Sequence, residues 1–77
     1  MGKPTLDLMQ LAGLGTNLTL DASKKPTLDL MQIAGSIKLK DGHLTLTNCH
    51  RKPTLDLMQI VGINPKNITL DFTEPEK

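Results

Sequence analysis

Three segments of the chain alternate apolar residues with threonine. They are residues 17–20, 43–46 and 67–70, and each ends in Thr-Leu. A period of two places the apolar side chains on one face of an extended strand, and Thr and Ile suit a half-buried pleated surface. We therefore predict one strand in each segment.

An identical octapeptide, Lys-Pro-Thr-Leu-Asp-Leu-Met-Gln, precedes each of these segments. It occupies residues 3–10, 25–32 and 52–59, and in each copy Leu or Ile, then Ala or Val, then Gly follow. Leu, Met, Gln and Ala favour helix, so we predict a short helix in each copy. So short a helix is unstable in isolation and must be packed.

The ends of these helices are predicted from the first copy. Thr5, directly after Pro4, is expected to act as N-cap, and Asp7 falls in the first turn, where negative charge suits the helix dipole. Gly13 is expected to end the helix in the left-handed conformation, and Gly35 likewise in the second copy. A strand over Thr-Leu-Asp-Leu is the alternative, because Leu6 and Leu8 also alternate.

Helix and strand repeated in one chain direction predict an α/β fold with parallel strands side by side and the helices on the other surface. The predicted units are residues 3–24, 25–51 and 52–77 of a single domain, 1–77. Octapeptide offsets of 22 and 27 residues are typical of solenoid-like stacking. The alternatives are a small pseudo-symmetric barrel, an intertwined dimer and an all-β solenoid.

The middle unit also carries a hairpin signal. Residues 36–40 alternate, and Asp41-Gly42 follows them. Asp-Gly between alternating segments is the usual sign of a tight β-hairpin. A hairpin here would favour the barrel or the intertwined dimer.

Composition points to association and away from two classes of partner. Phe72 is the only aromatic residue of 77, so the core is thin, and we expect self-association into a homo-oligomer or binding to another protein. Nine basic and eight acidic residues alternate without a basic stripe, so nucleic acid is not expected as a partner. No apolar run approaches the roughly 20 residues of a membrane helix, so no membrane association is expected.

Candidate chemistry is sparse. Cys49 is the only cysteine, which excludes an internal disulfide and favours a reducing, cytoplasmic location. The neighbouring His50 would point to the opposite side of an extended segment, and His43 and His50 would also face oppositely, so neither a thiolate nucleophile nor a zinc site is predicted. We expect no enzyme activity, no catalytic or metal-binding residues and no cofactor.

Two sets of polar residues recur at equivalent places in the octapeptides. They are Asp7, Asp29 and Asp56, and Gln10, Gln32 and Gln59. Stacking of the units would bring the aspartates into a row, and the glutamines could form an amide ladder if the segment were a strand. We interpret the aspartates as charges at helix N-termini and the glutamines as structural.

The stretch from Leu44 through Cys49, followed by residues 53–60, resembles the cysteine-containing leucine-rich repeat. That family runs from a strand through a Cys-containing turn to a short helix. The resemblance implies that Ser23, Cys49 and Thr73 occupy the cysteine place and plug the turn by hydrogen bonding. The chain departs from the pattern by an extra Leu in the Thr-Asp step and by the absence of the Leu that leads each strand.

Residues 57–70 also resemble the swapped-hairpin transcription factors and antitoxin DNA-binding domains. That resemblance implies a small dimeric regulator that binds DNA or a toxin. The basic strand pair with which that family begins is absent here.

We therefore expect a non-catalytic repeat protein with a structural or protein-binding role, acting through strand edges or exposed repeat ends. The alternative is the dimeric regulator. Three unvaried octapeptides beside divergent links indicate recent duplication or an engineered sequence that reuses one fragment.

Overall fold

The computed structural model describes residues 4–38 and 40–73. They form an α/β fold of three helices and a three-stranded sheet, as predicted from the octapeptides and the alternating segments. The helices are α1 (Thr5–Ala12), α2 (Thr27–Ile37) and α3 (Thr54–Ile63), and the strands are β1 (Asn17–Asp21), β2 (His43–Thr47) and β3 (Ile68–Leu70). Short 3-10 turns lie at Ala22–Lys24, Cys49–Arg51 and Pro65–Asn67. The alternative of a strand within the octapeptide is wrong.

The sheet is parallel, in the order β1-β2-β3. Thr19 lies beside Thr45 and Thr45 beside Thr69, so the alternating segments pair position for position. Leu44 and Leu46 of the central strand are fully buried, whereas the apolar residues of the outer strands are only partly buried. The sheet therefore packs one apolar face against the helices.

The predicted hairpin is wrong. Ser36 and Ile37 belong to α2, and β2 has parallel neighbours on both sides. Helix continues because Ile33 and Ile37 lie four residues apart on one helix face and are both fully buried. Asp41 adopts a positive φ of 60°, and the turn around it joins α2 to β2.

The core joins the inner faces of both layers. α1 packs on α2, α2 packs on α3, and α2 also contacts β2. The buried apolar residues are Leu8, Ala12, Ala22, Leu30, Ile33, Ala34, Ile37, Leu44, Leu46, Cys49, Leu57 and Ile60. Most of them lie in the middle unit or face it.

The predicted helix caps are wrong in detail. Thr5 is the first helical residue, Pro4 precedes it with extended ψ, and no side chain caps the N-terminus. Gly13 has helical φ, while Gly15 carries the positive φ of 88° that ends this segment. Gly35 lies inside α2 because burial of Ile37 extends the helix past it.

These conformations predict opposite effects for two glycine-to-alanine changes. A Cβ at Gly35 would meet only Ile63 Cγ2, at 4.0 Å, which is ordinary contact. Gly35→Ala should therefore raise the free energy of unfolding by about 0.5–1 kcal/mol, because alanine favours helix and restricts the unfolded chain. Urea denaturation followed by circular dichroism measures the change.

Gly15→Ala is the matched comparison. Its Cβ would lie 3.0 Å from the Lys40 carbonyl oxygen, and its φ of 88° strains any L residue. We expect a loss of about 1–2 kcal/mol. Equal effects of the two substitutions would contradict the assigned backbone conformations.

Candidate functional site

The octapeptides meet through hydrogen bonds between neighbouring helices. Thr5 Oγ1 donates to Asp29 Oδ2 at 2.8 Å, and Thr27 Oγ1 donates to Asp56 Oδ2 at 2.9 Å. Each bond joins the first residue of one helix to the third residue of the next. Two of the three recurring aspartates, Asp29 and Asp56, therefore serve between units as hydrogen-bond acceptors.

These bonds have a direction. The threonine always comes from the earlier unit and the aspartate from the later one, and Lys25 Nζ also donates to Thr5 Oγ1, at 3.3 Å. Within the described residues, Asp7 accepts no such bond and Thr54 donates none. One end of the arrangement thus presents an open acceptor and the other an open donor.

A second polar cluster joins the first two units at the carboxyl ends of β1 and β2. Asp21 accepts hydrogen bonds from the Ser23 backbone N–H at 2.8 Å, from the Ser23 hydroxyl at 2.6 Å and from Asn48 Nδ2 at 2.8 Å. The Ser23 hydroxyl is the main reason that the pKa of Asp21 lies below its ordinary value, since it stabilises the carboxylate. Asn48 adopts a left-handed φ of 54°, which asparagine tolerates.

Cys49 occupies the turn as a buried structural thiol. It is fully buried, and Sγ donates to the Leu46 carbonyl at 3.1 Å. Burial raises the pKa of the thiol, because desolvation disfavours the thiolate. The adjacent His50 is exposed.

The residues predicted to share the cysteine place do not do so. Ser23 is exposed and bonded to Asp21, and Thr73 is exposed. In the first unit Ala22 is the fully buried residue that opens the 3-10 turn, as Cys49 does in the second. Relative to the strand, the buried position comes one residue later in the second unit than in the first, because Asn48 is an additional residue between the end of β2 and the turn.

The outer face of the sheet is polar. Thr19, Thr45 and Thr69 lie in register across the three strands, and His43 Nε2 hydrogen-bonds to Thr69 Oγ1 at 2.7 Å. The His43 side chain therefore links β2 to β3. Across the described part of the chain no group of three His, Cys, Asp or Glu side chains could hold a metal ion.

The recurring glutamines, Gln10, Gln32 and Gln59, lie exposed on the three helices. No helix within residues 4–38 and 40–73 is long and apolar enough to cross a bilayer.

Two open depressions lie at the two ends of the helix layer, and we name them by the unit that forms them. The head face, of about 370 Å³, belongs to the first unit and is lined by Asp7, Gln10, Leu11 and Leu14. The tail face, of about 220 Å³, belongs to the last unit and is lined by Thr54, Leu57, Met58, Val61, Leu70 and Phe72. Both are mainly apolar and carry one hydrogen-bonding residue of the Thr–Asp pattern.

No known protein family, curated protein or solved structure matches the chain. We therefore infer function from the chain's own contacts.

The identical octapeptides allow a matched test of the Thr–Asp bond. Asp29→Ala and Asp7→Ala both remove a carboxylate from the first turn of a helix, so they lose a similar helix-dipole contribution. Only Asp29 accepts a threonine hydroxyl. Asp29→Ala should therefore lower the free energy of unfolding by about 1 kcal/mol more than Asp7→Ala.

A double-mutant cycle with Thr5→Val and Asp29→Ala then isolates the pair. We expect a coupling free energy of about 0.5–1.5 kcal/mol, measured by urea denaturation. Zero coupling would show that the bond does not stabilise the fold.

Burial of Cys49 predicts slow reaction with Ellman's reagent. The native thiol should react many times more slowly than the urea-unfolded chain, because the thiolate is disfavoured and the sulfur is inaccessible. The matched control is Ser23→Cys in a Cys49→Ala background, which moves the thiol to an exposed position and should react rapidly. Equal rates for native and unfolded wild type would contradict the assignment.

Proposed function

We propose that this chain is a non-catalytic repeat protein with a solenoid-like α/β arrangement and a structural or protein-binding role. The observation that carries the proposal is the pair of bonds Thr5–Asp29 and Thr27–Asp56. The same two octapeptide positions are used at both junctions, so the identical segments serve to hold one unit against the next. In repeat proteins, stability is approximately the sum of the intrinsic stabilities of the repeats and of the contacts between nearest neighbours.

The packing of the elements supports the same proposal. Adjacent helices pack in chain order, and each strand is hydrogen-bonded to the strand of the neighbouring unit. Leu44 and Leu46, in the middle unit, are the apolar strand residues covered from both sides. Each unit therefore depends on its neighbours for burial.

A non-catalytic role is supported by how the reactive side chains are used. Asp29 and Asp56 are hydrogen-bonded between helices, His43 is bonded to Thr69, and the Cys49 thiol is buried with a raised pKa. A buried thiol of raised pKa is a poor nucleophile. A reducing location such as the cytoplasm suits this single thiol, and we propose it on that ground.

The surfaces proposed for binding are the ones that the internal contacts leave open. The edges of β1 and β3 carry backbone groups that can pair with another strand, and the head and tail faces expose apolar side chains. The dimeric regulator depends on a hairpin, and no observation among the described strands favours it.

The exposed positions of the octapeptide bear on its origin. Leu6, Leu28 and Leu55 are all more than half exposed, yet they are identical. The Thr–Asp bonds do not require leucine there. We infer recent duplication of one unit, or engineering from one fragment.

Insertion of a second middle unit tests the repeat arrangement. A copy of residues 25–51 placed between Arg51 and Lys52 preserves an Arg-Lys junction on both sides. The added unit should form one more Thr–Asp bond and one more parallel strand pair. We expect cooperative urea unfolding with a higher free energy, and an m-value larger by roughly a third, because m scales with the surface exposed on unfolding.

The control is an insert of the same composition with its residues shuffled at the same place. It should lower stability, because a long flexible insertion gains no contacts and carries a loop-closure cost. If the true copy destabilises the chain as much as the shuffled one, the repeat arrangement is refuted.

A further inference from the structure

From the open donor and acceptor at the two ends of the molecule, we propose that one copy of this chain binds a second copy head to tail. The tail face of one copy would receive the head face of the next, with Thr54 Oγ1 donating to the partner's Asp7. The inference rests on the proposed repeat architecture and identifies a second copy of the chain as the binding partner of that architecture.

The internal junctions show which side chain of the head face would be buried if another unit preceded it. Leu11, Ile33 and Ile60 each directly follow the glutamine of their octapeptide. Ile33 and Ile60 are 0% exposed, whereas Leu11 is 38% exposed. Leu11 is thus a position that becomes buried wherever a preceding unit is present.

The tail face likewise exposes side chains whose equivalents in the earlier units are more buried. Met58 is 63% exposed, while Met9 and Met31, at the same octapeptide position, are partly buried against the core. Val61 is half-buried, where its equivalents Ala12 and Ala34 are fully buried. A following unit would cover both residues.

Hydrogen bonding determines which faces can meet. The internal bonds always run from threonine in the earlier unit to aspartate in the later unit. Head-to-tail contact continues that pattern by pairing Thr54 with Asp7. Head-to-head contact would instead place two Asp7 carboxylates near each other, which is unfavourable.

The sheet edges are compatible with the same contact. All pairs in the sheet are parallel, and β1 and β3 are its edge strands. β3 of one copy beside β1 of the next would continue the parallel sheet in the same direction. A contact of this heterologous kind extends into open chains unless its rotation closes a ring.

Two charge substitutions, one on each face, test the inference. Leu11→Glu blocks the head and Met58→Glu blocks the tail. The control Leu28→Glu changes a residue of the middle unit outside both faces, which is 62% exposed, about as much as Met58 and more than Leu11. Sedimentation velocity from micromolar to millimolar concentration gives the mass, and circular dichroism reports whether each variant is folded. If Leu11→Glu does not fold, Leu14→Glu, at a more exposed head position, replaces it.

Wild type and Leu28→Glu should gain mass with concentration, and each blocked variant alone should stay monomeric. An equimolar mixture of the two blocked variants should form one-to-one dimers and nothing larger, since each retains one complementary face. A monomeric wild type, association of a blocked variant by itself, or a monomeric mixture would overturn the inference. The unit-insertion experiment is independent of these outcomes, so failure of self-association is distinguishable from failure of the repeat arrangement.

Discussion

The hydrogen bond from a threonine hydroxyl to the aspartate of the following helix recurs at both helix junctions and constrains how the start of one helix lies against the next. Helices of eight to eleven residues are too short to be stable alone, and here no side chain caps their N-termini. The hydroxyls of Thr5 and Thr27 donate to the aspartate of the neighbouring helix and do not cap their own helices, and Thr54 donates no such bond among the described residues. Local helix stability is thereby exchanged for a contact between units, which fixes the position of each helix start against the next.

The distribution of burial follows from contacts between neighbouring units in both layers. The sheet ties the units together on one side through parallel pairing, and the Thr–Asp bonds tie them on the other. With Phe72 exposed, the core consists of aliphatic residues and one thiol. A core so thin is complete only where a unit has a neighbour on each side, and within the part of the chain that the structure describes this holds for the middle unit alone.

Elements governed by local periodicity and the parallel pairing of the repeated strands could be predicted from the sequence, and side-chain contacts between distant residues could not. The three strands followed from alternation, and the helices from the octapeptide. The hairpin failed because residues 36–40 alternate over too short a span to outweigh burial of Ile37 on the helix face. Asp-Gly marks a turn without specifying which elements it joins.

The same limit applies to the site. A threonine before a helical run suggests a local cap, and nothing nearby indicates that its partner is Asp29, on the next helix. The cysteine place was misassigned because the left-handed Asn48 adds a residue that no periodicity reveals. The difference between the two ends of the molecule, by contrast, can be deduced once the Thr–Asp bond is known. A row of units joined by the same directional donor–acceptor bond ends in a donor at one side and an acceptor at the other, here Thr54 and Asp7 among the described residues. Complementarity of the two ends is therefore a consequence of the internal contact, and any extension of the row by a second copy would use the chemistry that already holds the units together.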